Sequence, residues 1–272
     1  MAEYSANAAH GKLMKRISRR NMLSQATWLG TTVAVGLPLA TSAAEPLPDK
    51  TPPTAKPRLK VVVTGGHPGA PEYGCGGTIA RYAGLGHEVV LLYLNKGEWT
   101  DQPSHDPGPV RVAEATKACE LLNARPVFAG QLDGKAVVDQ VHYEQFHRLL
   151  EAEKPNVVFT HWPIDNHADH RAMSLLVYEA WLRMGRKFAL YYYEVSNGED
   201  TVQFTPTHYV DITGTASRKR SACYAHSSQA PDKFYALQEM VTKMRGIESG
   251  CKQAEGFIRH VQSTDFALPM VS

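Results

Sequence analysis

A cluster of metal-binding residue types lies in the middle of the chain. It contains three histidines and two aspartates within ten residues: His161, Asp165, His167, Asp169 and His170. Imidazole and carboxylate groups suit zinc, and a catalytic zinc site keeps one coordination position open. Such an ion acidifies a water molecule, which can then attack a carbonyl carbon. The cluster therefore predicts a metal site for hydrolysis, whereas the alternative is a solvated polar loop in which Asp169 caps a helix.

A second loop that could take part in the chemistry begins at His67, directly after the β-branched run at residues 60–64 and two glycines. The glycine-rich segment at 74–78 offers a rival interpretation, because backbone N–H groups at such a turn can bind phosphate. Its Gly-Cys-Gly-Gly spacing differs from GxGxxG, and GxxxxGK[ST] does not occur in the sequence. A nucleotide-binding module is therefore the weaker hypothesis, and we expect His67 to converge with the cluster on one ion.

The elements that must position both loops alternate along the chain. Strand patterns lie near residues 60–64, 88–94, 126–129, 156–160, 188–195 and 209–212, and helix patterns near 76–85, 110–123, 142–153, 168–184 and 234–244. This alternation predicts one α/β domain over residues 59–272, with a mostly parallel sheet between two layers of helices. Such sheets carry their sites at the carboxyl ends of the strands. His67 and His161 follow the first and fourth predicted strands and so belong to that edge.

The bulk composition is that of an ordinary globular protein. Of the 272 residues, 43% are hydrophobic and 21% are charged, and the net charge is +2. This balance gives no case for nucleic-acid binding. The four cysteines (Cys75, Cys119, Cys223 and Cys251) are widely spaced without a CxxC zinc motif, so we expect buried free thiols.

The first 44 residues have the pattern of an export signal. Arg19 and Arg20, with Leu23 three positions later, precede a modestly apolar run at 28–39 and small residues at 41–44. This arrangement resembles a twin-arginine signal peptide that is cleaved on export, which predicts a periplasmic or secreted protein. A membrane anchor is the alternative, but the apolar run is shorter than the roughly 20 residues that span a bilayer. Residues 45–58 contain five prolines and are interpreted as an extended linker.

Several motifs together resemble the PIG-L/LmbE-like zinc deacetylases. They are His67-Pro68, the turn Gly74-Cys75-Gly76-Gly77-Thr78, and His167-Ala168-Asp169-His170-Arg171, with further echoes at Lys219, Ala222, residues 226–229 and residues 254–257. The resemblance implies a Rossmann-like α/β fold and a divalent metal, usually Zn²⁺. It also implies hydrolysis of N-acyl groups, commonly acetyl groups, on small amino-sugar substrates.

The resemblance also implies a role for each matching residue. His67 and His170 correspond to metal ligands, and Asp169 to a carboxylate that orients a ligand imidazole. His167 corresponds to the histidine that stabilises the tetrahedral oxyanion or protonates the leaving amine. His226 corresponds to a C-terminal histidine near the site. From their positions beside the loops, Trp162 and Glu98 are further candidates for substrate contact.

Two positions depart from the family pattern. Gly69 stands where the general base is expected, and Ala70 stands where the carboxylate metal ligand is expected. Three interpretations follow: Ala70 is an inactivating substitution, Glu72 or Asp165 substitutes as ligand or base, or the domain binds its ligand without catalysis.

Overall fold

The computed structural model describes residues 57–98, 105–196 and 201–269, which belong to one compact unit. The predicted signal peptide and most of the predicted linker lie outside the described residues. Within them, no helix has the length and apolar character needed to cross a membrane. All four cysteines are free thiols, and all but the half-buried Cys251 are buried.

A seven-stranded, mostly parallel sheet forms the centre of the fold. Its strands are β1 (Lys60–Gly65), β2 (Glu88–Tyr93), β3 (Arg125–Phe128), β4 (Val157–His161), β5 (Ala189–Tyr193), β6 (His208–Asp211) and β7 (Ala254–Arg259), in the spatial order β3-β2-β1-β4-β5-β7-β6. The first five strands are parallel, and β7 pairs antiparallel with both β5 and β6. The predicted mixed α/β fold with a mostly parallel sheet is thus confirmed.

Within the described residues, six α-helices cover the sheet on its two faces: α1 (Ala70–Gly84), α2 (Gly108–Leu122), α3 (Gln140–Glu153), α4 (Ala168–Arg183), α5 (Ala216–Ala225) and α6 (Pro231–Ser249). Successive residues of a strand point to opposite faces. Val61 and Val63 accordingly enter the core beneath α1, α2, α5 and α6, while Val62 enters the core beneath α3 and α4. The sheet is thus the middle of three layers.

Helix α1 begins six residues earlier than the sequence pattern predicts, so the glycine-rich segment lies inside a helix. Its glycines permit close packing. A Cβ atom on Gly77 would lie 2.5 Å from Cγ2 of Ile212, and one on Gly76 would lie 2.9 Å from Cγ of Lys219. The amide groups of Gly77 and Thr78 bind the carboxylate of Glu255. The rival phosphate-loop interpretation is therefore wrong for this segment.

Helix α5 and strand β7 were not predicted, and a buried ion pair connects them to α1. Lys219 Nζ on α5 lies 2.6 Å from Glu255 Oε1 on β7. Both Glu255 oxygens also accept backbone N–H groups of α1, from Gly77 at 2.9 Å and Thr78 at 2.8 Å. We call Lys219 and Glu255 the anchor pair. A buried charge pair is tolerated only when its remaining hydrogen-bonding capacity is satisfied, as it is here.

Candidate active site

The two chemistry-bearing loops leave the same edge of the sheet. Strands β1 and β4 are parallel neighbours, with Val63 opposite Phe159, so their carboxyl ends lie side by side. A cavity of about 240 Å³ opens between the loops that follow them. Its lining comprises His67, Pro68, Gly69, Ala70, Tyr73, Arg111, Asp133, His167, His170, Val195, His226, Gln229 and Phe234. His67, His167, His170 and His226 thus converge on this cavity.

His67 faces two carboxylates. Its Nε2 atom lies 2.8 Å from Asp133 Oδ1 and 3.1 Å from Asp169 Oδ2. Burial alone would lower the pKa of His67, but the two acidic partners outweigh that effect and raise it. Burial would raise the pKa of Asp169, yet hydrogen bonds from His67 and from the Gly134 amide lower it to about 2. Asp169 is therefore a carboxylate at neutral pH.

Asp133 is a site residue that the sequence analysis missed. It lies in the segment that follows β3, at the same edge of the sheet as the other two loops. The available signal was an Asp-Gly pair shortly after a predicted strand. Arg111, at the beginning of α2, was missed as well; it donates from Nη2 to the Pro68 carbonyl at 2.8 Å and lines the cavity.

His170 lies in the first turn of α4 and is oriented by Asp165. Its Nδ1 atom is 3.1 Å from Asp165 Oδ1, and Asp165 also accepts hydrogen bonds from the His167 amide and the Thr201 hydroxyl. The His170 ring stacks on His161 at 3.9 Å. Asp165 therefore positions His170 and leaves the Nε2 atom of that ring available.

His167 is the N-cap of α4, the role for which Asp169 was the sequence candidate. Its Nδ1 atom accepts the Asp169 N–H at 3.3 Å, so the proton of the neutral ring is on Nε2. Burial and the neighbouring His67 and His170 rings lower the pKa of His167 to about 4. His167 is thus a neutral hydrogen-bond donor near pH 7, which suits contact with an oxygen that gains negative charge.

His226 is paired with Glu72. The His226 Nε2 atom lies 3.0 Å from Glu72 Oε1, which also accepts the Tyr93 hydroxyl at 2.7 Å, while Glu72 Oε2 accepts the Gly69 amide at 3.1 Å. Glu72 is fully buried and joins none of the candidate metal groups among the described residues. The expectation that Glu72 replaces the missing ligand is therefore corrected: its carboxylate orients His226 instead.

Three groups of side chains in the described structure have ligand atoms within 4.8 Å of one another: His67 with His167 and His170; His161 with Asp165 and His170; and His67 with Asp133 and Asp169. Imidazole and carboxylate donors are the chemistry that zinc and related divalent ions bind. In the third group, Asp169 Oδ1 is buried and has no hydrogen-bond partner in the described structure. This oxygen could also bind an ion. The residues present therefore fit a divalent metal.

The two departures from the family pattern both border the cavity. Ala70 is the first residue of α1 and is 8% exposed. Gly69 has a φ of 106°, a conformation that residues with a Cβ atom rarely adopt. A carboxylate at 70 would therefore face the cavity from an ordinary helical backbone, whereas one at 69 would require strain.

Trp162 and Glu98 do not line the cavity. Trp162 packs against Tyr192 and Phe204, at ring-centroid distances of 5.6 and 5.9 Å, beside the core of the opposite face. The Glu98 carboxylate accepts the Lys96 amide at 2.7 Å. The structure thus assigns Trp162 to packing and Glu98 to a local turn.

Comparisons with known proteins show which family and fold this chain resembles. The family described as PIG-L, GlcNAc-PI de-N-acetylase, matches residues 62–181. A diacetylchitobiose deacetylase from Thermococcus kodakarensis is 26% identical over 217 residues, which cover 72% of this chain and 81% of that protein.

Solved structures show the same fold. The conserved protein TT1542 from Thermus thermophilus is 25% identical, with a TM-score of 0.66 over 76% of this chain and 97% of that one. The N,N'-diacetylchitobiose deacetylase from Pyrococcus horikoshii is 22% identical, with a TM-score of 0.64 over 74% of this chain and 84% of that one. Residues 62–181 are therefore similar to the PIG-L family, and the curated relatives of this chain include a deacetylase.

Proposed function

We propose that the chain is a metal-dependent hydrolase that removes an N-acetyl group from a small amino-sugar substrate. The observation that carries this proposal is the cavity at the β1/β4 edge, where imidazoles oriented by buried carboxylates lie beside the neutral donor His167. The diacetylchitobiose deacetylase relative supports the choice of an acetylated sugar.

Two donor sets that share His67 offer places for the ion: His67 with His170, or His67 with Asp133 and Asp169. A zinc ion supplies Lewis acidity for the attack of water on an amide carbonyl. Asp165 holds the His170 ring in a defined orientation, as outer partners of metal-binding histidines do.

The remaining chemistry comes from side chains of the chain itself. His167 donates a hydrogen bond from Nε2 to the carbonyl oxygen as negative charge develops there. Glu72 holds the His226 ring against the cavity wall. Apolar side chains of Tyr73, Val195 and Phe234 line another part of the cavity and suit the methyl group of an acetamide.

A second candidate function is ligand binding without turnover. The observation that favours it is the absence of carboxylates at positions 69 and 70. A binder with this cavity would hold the acetylated sugar yet release no acetate.

Metal content and acetate release from N,N'-diacetylchitobiose separate the two functions. The experiment compares the chain as it stands with Ala70→Asp, and uses Ala70→Asn as the matched control because Asn has the same shape without the charge. Stoichiometric zinc and acetate release from the unchanged chain would support the enzyme and reject the binder. Failure of Ala70→Asp to gain metal or activity over Ala70→Asn would show that position 70 is not the family's ligand position.

We further propose that residues 1–44 direct export through the twin-arginine pathway, with cleavage after Ala43 or Ala44. The paired arginines and the small residues at 41–44 support this proposal. Periplasmic protein should begin near Glu45 when its N-terminus is sequenced. An intact Met1 on that fraction would reject cleavage.

A further inference from the structure

We propose that this chain holds its metal ion with His67, Asp133 and Asp169, on the side of the His67 ring that carries Nε2. The family resemblance implies a different set, made of His67, His170 and an aspartate at the position of Ala70. The proposal deepens the proposed function, but it concerns metal binding and can be tested without substrate.

The three donor atoms lie within 4.8 Å of one another. His67 Nε2 lies 2.8 Å from Asp133 Oδ1 and 3.1 Å from Asp169 Oδ2. Zinc binds imidazole nitrogen and carboxylate oxygen at roughly 2.0–2.2 Å in tetrahedral geometry, so ligand atoms around one ion lie roughly 3.4 Å apart. The observed separations are those of hydrogen bonds, and the donor atoms would have to move apart by only about half an ångström to share an ion.

Proton counting favours a cation at this point. A ring nitrogen carries at most one proton, so His67 Nε2 can donate one hydrogen, shared between two carboxylates. One neutral imidazole with two carboxylates also has a charge of −2, which compensates a divalent ion. Arg111 Nη1, 4.0 Å from Asp133 Oδ2, is too distant to neutralise that pair by a close hydrogen bond.

Asp169 supplies an independent indication of a missing ligand. Its side chain is fully buried, and Oδ2 accepts hydrogen bonds from Asn95 Nδ2 and the Gly134 amide, each at 2.9 Å. Its second oxygen, Oδ1, has no hydrogen-bond partner among the described residues. An unpaired buried carboxylate oxygen is costly unless a ligand completes it.

The competing histidine set is weaker in this chain. Ala70 offers no donor atom, and His167 uses Nδ1 to accept a backbone N–H, which leaves a proton on Nε2. His170 can offer Nε2, but position 70 supplies no carboxylate to share an ion with it. The set of His67, Asp133 and Asp169 therefore offers more donors than the histidine set.

Titration calorimetry with Zn²⁺ on the whole chain, without substrate, tests the assignment. Asp133→Asn should weaken zinc binding by roughly tenfold or more, the scale on which metal-site residues act. His170→Ala should weaken it by less than about threefold. Asp139→Asn is the matched control, because Asp139 is a solvent-accessible N-cap six residues away and Asn retains that role. Circular dichroism of each variant establishes that it is folded.

The opposite ranking, with His170→Ala losing zinc and Asp133→Asn keeping it, would overturn the proposal, and so would absence of zinc binding by the unchanged chain. Ala70→Asp should shift the dependence towards His170. Asp133-dependent zinc binding without acetate release would reject the proposed function and leave this site standing. Acetate release together with zinc binding that depends on His170 would support the proposed function and reject this metal site.

Discussion

Two buried carboxylates in this molecule differ in how their oxygens are hydrogen-bonded. Glu255 and Asp169 are 2% and 0% exposed, and each has a basic partner. Both oxygens of Glu255 accept hydrogen bonds, which join α1, α5 and β7. In Asp169, one oxygen receives three donors and the other has none in the described structure. The hydrogen-bonding capacity of the Glu255 carboxylate is therefore used within the fold, whereas Asp169 retains one oxygen that can bind a ligand.

The same difference extends to other buried polar atoms. In the part of the chain that the structure describes, those without a partner are Thr78 Oγ1, Tyr82 OH, Arg111 Nε, His161 Nδ1, Trp162 Nε1, Asp169 Oδ1 and His226 Nδ1. Four of them, on Arg111, His161, Asp169 and His226, belong to the cavity or to the candidate metal groups. Folded proteins satisfy nearly all buried polar groups, so such a concentration marks a functional region.

Breaking the anchor pair should have the largest effect on stability. Lys219→Met leaves the Glu255 charge buried without its cation, and we expect a loss of about 3–5 kcal/mol in the free energy of unfolding. Urea denaturation measures this change. Lys243→Met is the matched control, because Lys243 pairs with Glu239 on the exposed surface of α6, where such pairs contribute at most about 1 kcal/mol. Equal losses in both variants would contradict the role of the anchor pair.

The packing of α1 gives the next largest effect. Gly77→Ala places a methyl group 2.5 Å from Ile212 Cγ2, which should cost about 1–3 kcal/mol. Gly84→Ala, in the same helix with nothing within 4 Å, should instead be neutral or stabilise by up to about 1 kcal/mol. Thermal unfolding compares the two variants. A stable Gly77→Ala protein would mean that close packing is not why this helix contains glycines.

Glu114 should make a pH-dependent contribution to stability. Burial would raise its pKa, but hydrogen bonds from Ser228 and Ser227 lower it below the ordinary 4.5. Its stabilisation is therefore present above the unfolded-state pKa and is lost as the pH falls through the folded-state pKa. Glu114→Gln should be less stable by about 1–3 kcal/mol near pH 7.

That deficit should shrink as the pH is lowered from about 5 towards 3, because the wild-type carboxylate then becomes protonated. Urea denaturation at several pH values measures the trend. A deficit that stays constant with pH would show that the Glu114 charge does not stabilise the turn after His226.

Asp133 should have the smallest effect on the fold, although we expect it to matter for metal. Asp133→Asn removes a partly exposed charge partner of His67, and we expect a change within about 1 kcal/mol in the free energy of unfolding. The same denaturation assay, without metal, measures it. A loss as large as that of Lys219→Met would show that Asp133 stabilises the fold as much as the anchor pair does, which would contradict the difference between the anchor pair and the site.

Sequence reasoning was most successful where signals are local. The alternation of strand and helix patterns predicted the α/β class, and His67 and the 161–170 cluster were expected at the same sheet edge. The glycine-rich segment caused the beginning of α1 to be predicted too late. Its glycines allow close contacts with Ile212 and Lys219, which are distant in sequence. Strand β7 escaped prediction because its residues carry little apolar periodicity and it is positioned by Glu255.

By itself, the sequence determined the fold class, the presence of imidazole and carboxylate donors, and the absence of side-chain donors at positions 69 and 70. Only the tertiary structure decided which donors meet. It paired Glu72 with His226, and Asp133 and Asp169 with His67. The reason is physical: residue types and local periodicity are encoded by neighbours in the chain, whereas contacts 36 to 154 positions apart depend on how strands and helices pack.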